Sequence, residues 1–128
     1  MTKRKPKYEE MSDFEVNQCI ARIVTDGDVI ELDDMFPGPS EAAVQVIYKV
    51  GIHGEFVDYC NNPSDAWPII VENKIDITSP ASIGADDWQA RKFYIQFSKD
   101  NIYSLDKNPL RAAMICFLRT KDAENENN

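Results

Sequence analysis

Apolar side chains recur along this chain in two rhythms, and the switches between them mark its elements. Val16, Cys19, Ile20, Ile23 and Val24 fall at helical spacing. They follow the capping box Ser12-Asp13-Phe14-Glu15, in which the Ser12 hydroxyl accepts from the Glu15 amide while the Glu15 carboxylate reaches back. Asp26-Gly27 ends this predicted helix. Residues 28–43 read as loop, because Phe36-Pro37-Gly38-Pro39-Ser40 carries two prolines that cannot donate to a ladder. Val44, Val46, Tyr48 and Val50 then alternate with Gln45, Ile47 and Lys49 as a strand does. Gly51-Ile52-His53-Gly54 turns that strand into a second one over residues 55–59.

A second helix is signalled by Asn62 as cap, Pro63 at the first helical position and Asp65 at the third, where a carboxylate suits the positive helix end. Pro68 should kink or restart it, exposing carbonyls near Ser64. Period-two patterns return at Ile75 and Ile77 and at Phe93, Ile95 and Phe97. A turn at Ser98-Lys99-Asp100-Asn101 then leads into a strand from Ile102 to Leu105. The last helix repeats the Asn-Pro start at Asn108-Pro109. Leu110, Ala113, Met114, Phe117 and Leu118 form its apolar stripe, and Ala112, Ile115 and Cys116 make the rest of its circumference apolar, so it should be central. With no βαβ alternation, the pattern predicts an α+β fold: a mostly antiparallel sheet of about four to five strands packed against about three helices. The expected layout is a flexible basic arm over 1–11, one globular domain over 12–120 and a disordered polar tail over 121–128.

Composition adds bounds to this picture. The 128 residues suit one domain that stands without metal or disulfide. Cys19, Cys60 and Cys116 are odd in number and widely spaced, which favours a reducing compartment and suggests neither a disulfide framework nor a zinc site. No apolar run approaches a membrane span, and the basic start leads into Glu9 and Glu10 instead of a signal core, so a cytoplasmic location is expected. The net charge of −8 hides an asymmetry: residues 8–128 hold ten basic against twenty-two acidic residues, a net of −12. That body repels nucleic acid, which argues against ordinary phosphate-backbone binding and leaves open mimicry of DNA by carboxylates, the plainer reading being that the charge serves solubility.

Candidate chemistry is sparse. The five glycines form no phosphate-cradling motif, and Asp26-Gly27-Asp28 with Asp33-Asp34 lacks the ligand spacing of an EF-hand, so neither a cofactor nor a metal is expected. His53 and Cys60 would make a nucleophile pair only if the hairpin joined them and a third group oriented the histidine. The simpler reading is a turn residue and a small buried thiol. Arg111 breaks a local rule, since a cation at the third helical position opposes the macrodipole. It calls for an internal carboxylate, Asp65 or Asp106, or for an anion on a ligand or partner. Trp67 reads as buried packing or as a recognition anchor. If the two Asn-Pro helix starts lie side by side, Asn61, Asn62, Asp65, Trp67 and Arg111 line one candidate binding patch.

Three blocks carry a family resemblance. They are Ser12-Asp13-Phe14-Glu15-Val16-Asn17, then Cys60-Asn61-Asn62-Pro63-Ser64-Asp65-Ala66-Trp67-Pro68-Ile69-Ile70 with Glu72-Asn73-Lys74-Ile75, then Lys107-Asn108-Pro109-Leu110-Arg111-Ala112-Ala113-Met114 with Phe117-Leu118. They cover about a quarter of the chain, and together they resemble the phage-encoded NinX-like family. Residues 25–57 and the basic start lie outside these blocks. The resemblance implies a small accessory protein of lambdoid phages and prophages, acting inside an enterobacterial host, and it carries over no catalytic residue. The leading expectation is a non-enzymatic protein that binds a host or phage protein through the patch above. The alternatives are a small hydrolase or ligand-binding enzyme with a site near Cys60, Asp65 and Arg111, or an acidic DNA-mimic inhibitor.

Overall fold

The computed structural model describes residues 7–25, 28–30, 40–48, 53–92 and 102–126. Helix α1 (Asp13–Val24) begins on the anticipated capping box, with the Glu15 N–H donating to Ser12 Oγ at 3.1 Å and the Ser12 N–H donating to Glu15 Oε1 at 3.2 Å. Strands β1 (Asp28–Ile30), β2 (Val44–Tyr48) and β3 (His53–Val57) form an antiparallel sheet in that order. Helix α2 (Pro63–Glu72) follows, then β4 (Asp76–Thr78), the single turn α3 (Pro80–Ile83), β5 (Trp88–Lys92) and β6 (Ile102–Asp106), and finally α4 (Pro109–Glu126). The last three strands make a second antiparallel sheet, ordered β4-β5-β6.

The α+β class and the antiparallel pairing match expectation, but the strands form two small sheets instead of one of four to five strands. The reason lies in α4. Every side chain from Arg111 to Leu118 is buried. One side of this helix packs on β5 and β6, and α1 and α2 occupy another. The first sheet packs instead on α1, so the touching pair α1 and α4 joins the two sheets. Each large apolar side chain buried in that seam, such as Ile20, Met114 or Ile115, contributes about 1.5–3 kcal/mol.

Other expectations shift. Strand β1 and the turn α3 fall in stretches read without structure, and His53 and Gly54 open β3 instead of forming the turn before it. The strand expected at Phe93, Ile95 and Phe97 and the turn at 98–101 lie outside the described residues. Pro68 does not restart α2, which is assigned as one helix from Pro63 to Glu72. The carbonyl that Pro68 deprives of a donor belongs to Ser64, an exposed residue whose carbonyl water can satisfy. Both ends of the expected domain extend. Tyr8–Glu10 form a 3-10 turn with Tyr8 buried, and α4 runs on to Glu126. The Tyr8 hydroxyl donates to Asp122, which ties these two segments together.

Candidate functional site

Three helix starts meet at one place. At the start of α2, Asn62 Oδ1 accepts from the Ser64 N–H at 3.0 Å, and Asp65 Oδ2 accepts from the Asp58 N–H at 2.9 Å. At the start of α4, Asn108 Oδ1 accepts from the Leu110 N–H at 2.9 Å, while its Nδ2 donates to the Cys60 carbonyl at 2.7 Å and to Asn61 Oδ1 at 3.2 Å. The two Asn-Pro starts therefore lie side by side. The start of α1 joins them through Asp13, whose Oδ2 accepts from Asn61 Nδ2 at 3.1 Å.

Arg111 fills the centre and is only 9% exposed. Its Nε donates to Asp106 Oδ2 at 3.0 Å and its Nη1 to Asp13 Oδ1 at 2.6 Å. Its Nη2 donates to the carbonyls of Tyr8, Glu9 and Met11 at 3.2, 3.4 and 2.7 Å. Burial works against the guanidinium charge, but the hydrogen bond to Asp13 and the charges of Asp106 and Asp13 outweigh it, so the pKa of Arg111 is raised. Of the two carboxylates anticipated for Arg111, Asp106 is a partner and Asp65 is not. Asp13 is the partner that spacing could not reveal. The carboxylates around the three positive helix ends offset both the macrodipoles and the misplaced cation.

Asn17 is a buried polar residue beside this site that periodicity does not reveal. It has no exposed surface, and its Nδ2 donates to the Ala42 carbonyl at 2.9 Å and to Asp58 Oδ1 at 2.8 Å, while its Oδ1 accepts from the Cys60 N–H at 3.0 Å. Asn17 lies between Val16 and the other buried residues of α1, and a polar residue in such a position was the one available signal.

The structure brings Asn61 and Arg111 together on one carboxylate, Asp13. Asn62 and Asp65 serve the start of α2, and Trp67 stands apart on the outer face of that helix at 61% exposure, near Val71 at 54%. Cys60 is buried, and burial, reinforced by the Asp13 charge, pushes its thiol up to about 12, far from a nucleophilic thiolate. His53 opens β3, and four extended steps carry the backbone about 13 Å to Val57, so the strand separates His53 from Cys60. Among the described residues, no group of three His, Cys, Asp or Glu side chains is placed to hold a metal ion, and no helix is long and apolar enough to cross a membrane.

A groove is open to solvent. It lies between the end of α1, α2 and α4 and has a volume of about 390 Å³, with buried Ile69 and Phe117 as its floor.

A family model described as Bacteriophage P22, NinX matches residues 7–121, a span that includes the stretch 25–57 outside the three recognised blocks. The comparison with curated proteins and that with solved structures each gave no match.

Proposed function

We infer from one plain fact, that this chain belongs to the bacteriophage P22 NinX family, and from the outer face of α2, that it is a phage accessory protein which works by binding another protein. The observation that carries this reading is Trp67. A tryptophan 61% exposed leaves most of its large apolar face in water, and Trp is the residue type most enriched where binding energy concentrates. Val71, one helical turn on, widens the same apolar surface, and Asn61 and Asn62 are exposed at the start of the helix that presents it. Asn62 and Asp65 brace that helix start, so the surface is offered preorganised and little ordering entropy opposes binding. The binding patch is thus redrawn: Asn61, Asn62, Trp67 and Val71 are exposed, Asp65 is half-buried and braces the helix start through one carboxylate oxygen, and Arg111 is turned inward.

An enzyme with its site near Cys60, Asp65 and Arg111 draws less support. The thiol is held protonated, and all three guanidinium nitrogens already donate to internal acceptors. A DNA mimic needs carboxylates spaced along an outer face, whereas Asp13, Asp58 and Asp106 are turned onto Arg111, Asn17 and Asn61.

Capture of partners from phage-infected host lysate by tagged wild-type protein and by the Trp67→Ala, Val71→Ser variant, read by mass spectrometry, tests the proposal. Both side chains are exposed, so the variant should keep its fold, and thermal melting checks this. A stoichiometric protein partner lost with the variant is the expected result. Equal capture by both forms, or capture by neither, refutes the role of this surface.

A further inference from the structure

The apolar stripe of α1 is longer than the core that receives it. Val16 and Ile20 are fully buried, while Ile23 and Val24 in the last turn remain 43% and 41% exposed. They form one side of the groove between α1, α2 and α4, and Pro68 and Glu72 of α2 form the other. Trp67 and Val71 do not line it. At about 100° per residue they project from the opposite flank of α2, so the groove is a second surface, independent of the one proposed above.

Three properties define what fits. First, the floor of Ile69 and Phe117 and the α1 wall of Ile23 and Val24 are apolar, but that wall stands in water, whereas a pocket built for a small ligand encloses roughly 70–90% of the ligand's surface. Second, the groove is walled mainly by helices, so no sheet edge offers hydrogen bonds to an extended peptide. An occupant must satisfy its own backbone, as a helix does. Third, the α2 side carries Asp65 and Glu72. The single cation of the lining, Lys121, is held 3.5 Å from Glu124 and 5.5 Å from the centre of the Phe117 ring. The charge left to an incoming partner is negative, as is that of the whole chain at −8.

We propose that this groove docks a basic amphipathic helix of a partner protein, its apolar residues entering between Ile23, Val24 and Pro68 and its Lys or Arg side chains lying along Asp65 and Glu72. The complementarity is of shape at the floor and of charge at the rim, the combination by which a groove both holds and orients a helix.

The probe is a fluorescein-labelled amphipathic Leu/Lys peptide of about 14 residues, long enough to form a helix on docking. An Ala/Lys peptide of equal charge and a Leu/Glu peptide of equal apolar pattern are its comparators. Fluorescence anisotropy gives affinities, and backbone amide NMR shifts locate the site. The expected result is saturable micromolar binding of Leu/Lys, with shifts clustered around Ile69 and Phe117 and affinities at least about ten-fold weaker for both comparators. Ile23→Ser with Val24→Ser, and separately Glu72→Lys, should each weaken Leu/Lys binding by about five-fold or more, while Trp67→Ala leaves it unchanged. All of these side chains are exposed, and thermal melts confirm that the variants fold.

Equal binding of Ala/Lys reduces the effect to bulk charge and overturns the proposal, as do shifts scattered over the surface. Equal binding of Leu/Glu overturns the basic character of the partner. Groove shifts that depend on protein concentration without peptide make a second copy of the chain the occupant and overturn it as well. Capture through Trp67 can succeed or fail without altering any of these readings, so the two proposals fall separately.

Discussion

Arg111 reconciles a local penalty with a long-range gain. A cation in the first turn of α4 costs up to about 1 kcal/mol against the helix dipole, yet its contacts join segments that are 98 and 100 residues apart in sequence, at Asp13 and Met11. Truncating such a residue leaves carboxylates and carbonyls without their donor. Arg111→Ala should destabilise the protein by about 3 kcal/mol in urea or thermal unfolding, near the low end for buried pairs because Asp13 keeps 34% of its side chain exposed. Arg111→Lys should recover only part of that loss, since an ammonium cannot span Asp13, Asp106 and the carbonyls at once. The thiols make a second expectation at this scale. Burial lifts Cys60 to about 12 and Cys116 to about 11 from an ordinary 9.0, so folding favours their neutral forms. The associated stability is complete below about pH 9 and is lost as pH rises through the folded values. A melting temperature followed from neutral pH upward should hold level to about pH 9 and then fall, less steeply in Cys60→Ala. At about pH 8, alkylation of the native protein should spare Cys60 and Cys116 until denaturant is added.

Elements divide by how local their causes are. The starts of α1, α2 and α4 were legible because a cap is settled within four residues, and Ser12, Asn62 and Asn108 each make the anticipated bond. The end of α2 is equally local. Lys74 has a φ of 53°, and the Ile75 N–H donates to the Ile70 carbonyl while the Lys74 N–H donates to that of Val71, a Schellman closure with lysine where glycine is preferred. Lys74→Gly should therefore raise stability by about 0.5–1 kcal/mol, read as a higher urea midpoint, and no gain would contradict the strain assigned to that residue. The buried face of α1 was not legible. Periodicity favoured Val16, Cys19, Ile20, Ile23 and Val24, but the structure turns the helix so that Asn17 and Ala21 are buried in place of Ile23 and Val24. The cause is Asn17, whose partners Ala42, Asp58 and Cys60 lie 25 or more residues away. The same reasoning covers the candidate patch. Asp106, five residues from Arg111, could be anticipated as its internal partner, whereas Asp13, 98 residues away, could not.

At the scale of the whole molecule, the two sheets hang on one seam, α1 against α4, and the segment before α1 is fastened across it. Tyr8 is buried with its hydroxyl on Asp122, Glu9 pairs with Arg119, and the carbonyls of Tyr8, Glu9 and Met11 converge on Arg111. Deleting residues 1–11 removes all of these contacts. It should cost about 2–4 kcal/mol, seen as a lower unfolding midpoint with α4 still formed. A deletion without effect would show that Arg111 and Asp122 find water as readily as chain. Division into two sheets was beyond sequence reasoning, because period-two alternation says that a strand has a buried face and not which helix covers it.

The order of synthesis gives the seam a further meaning. Helix α4, which both sheets require directly or through α1, is the last described element to leave the ribosome, and at roughly 5–20 residues per second the earlier strands wait several seconds for it. Until α4 emerges the first sheet has only α1 of the two seam helices, so Val44 and Val46 stay partly covered and the fold closes with the arrival of its last described helix.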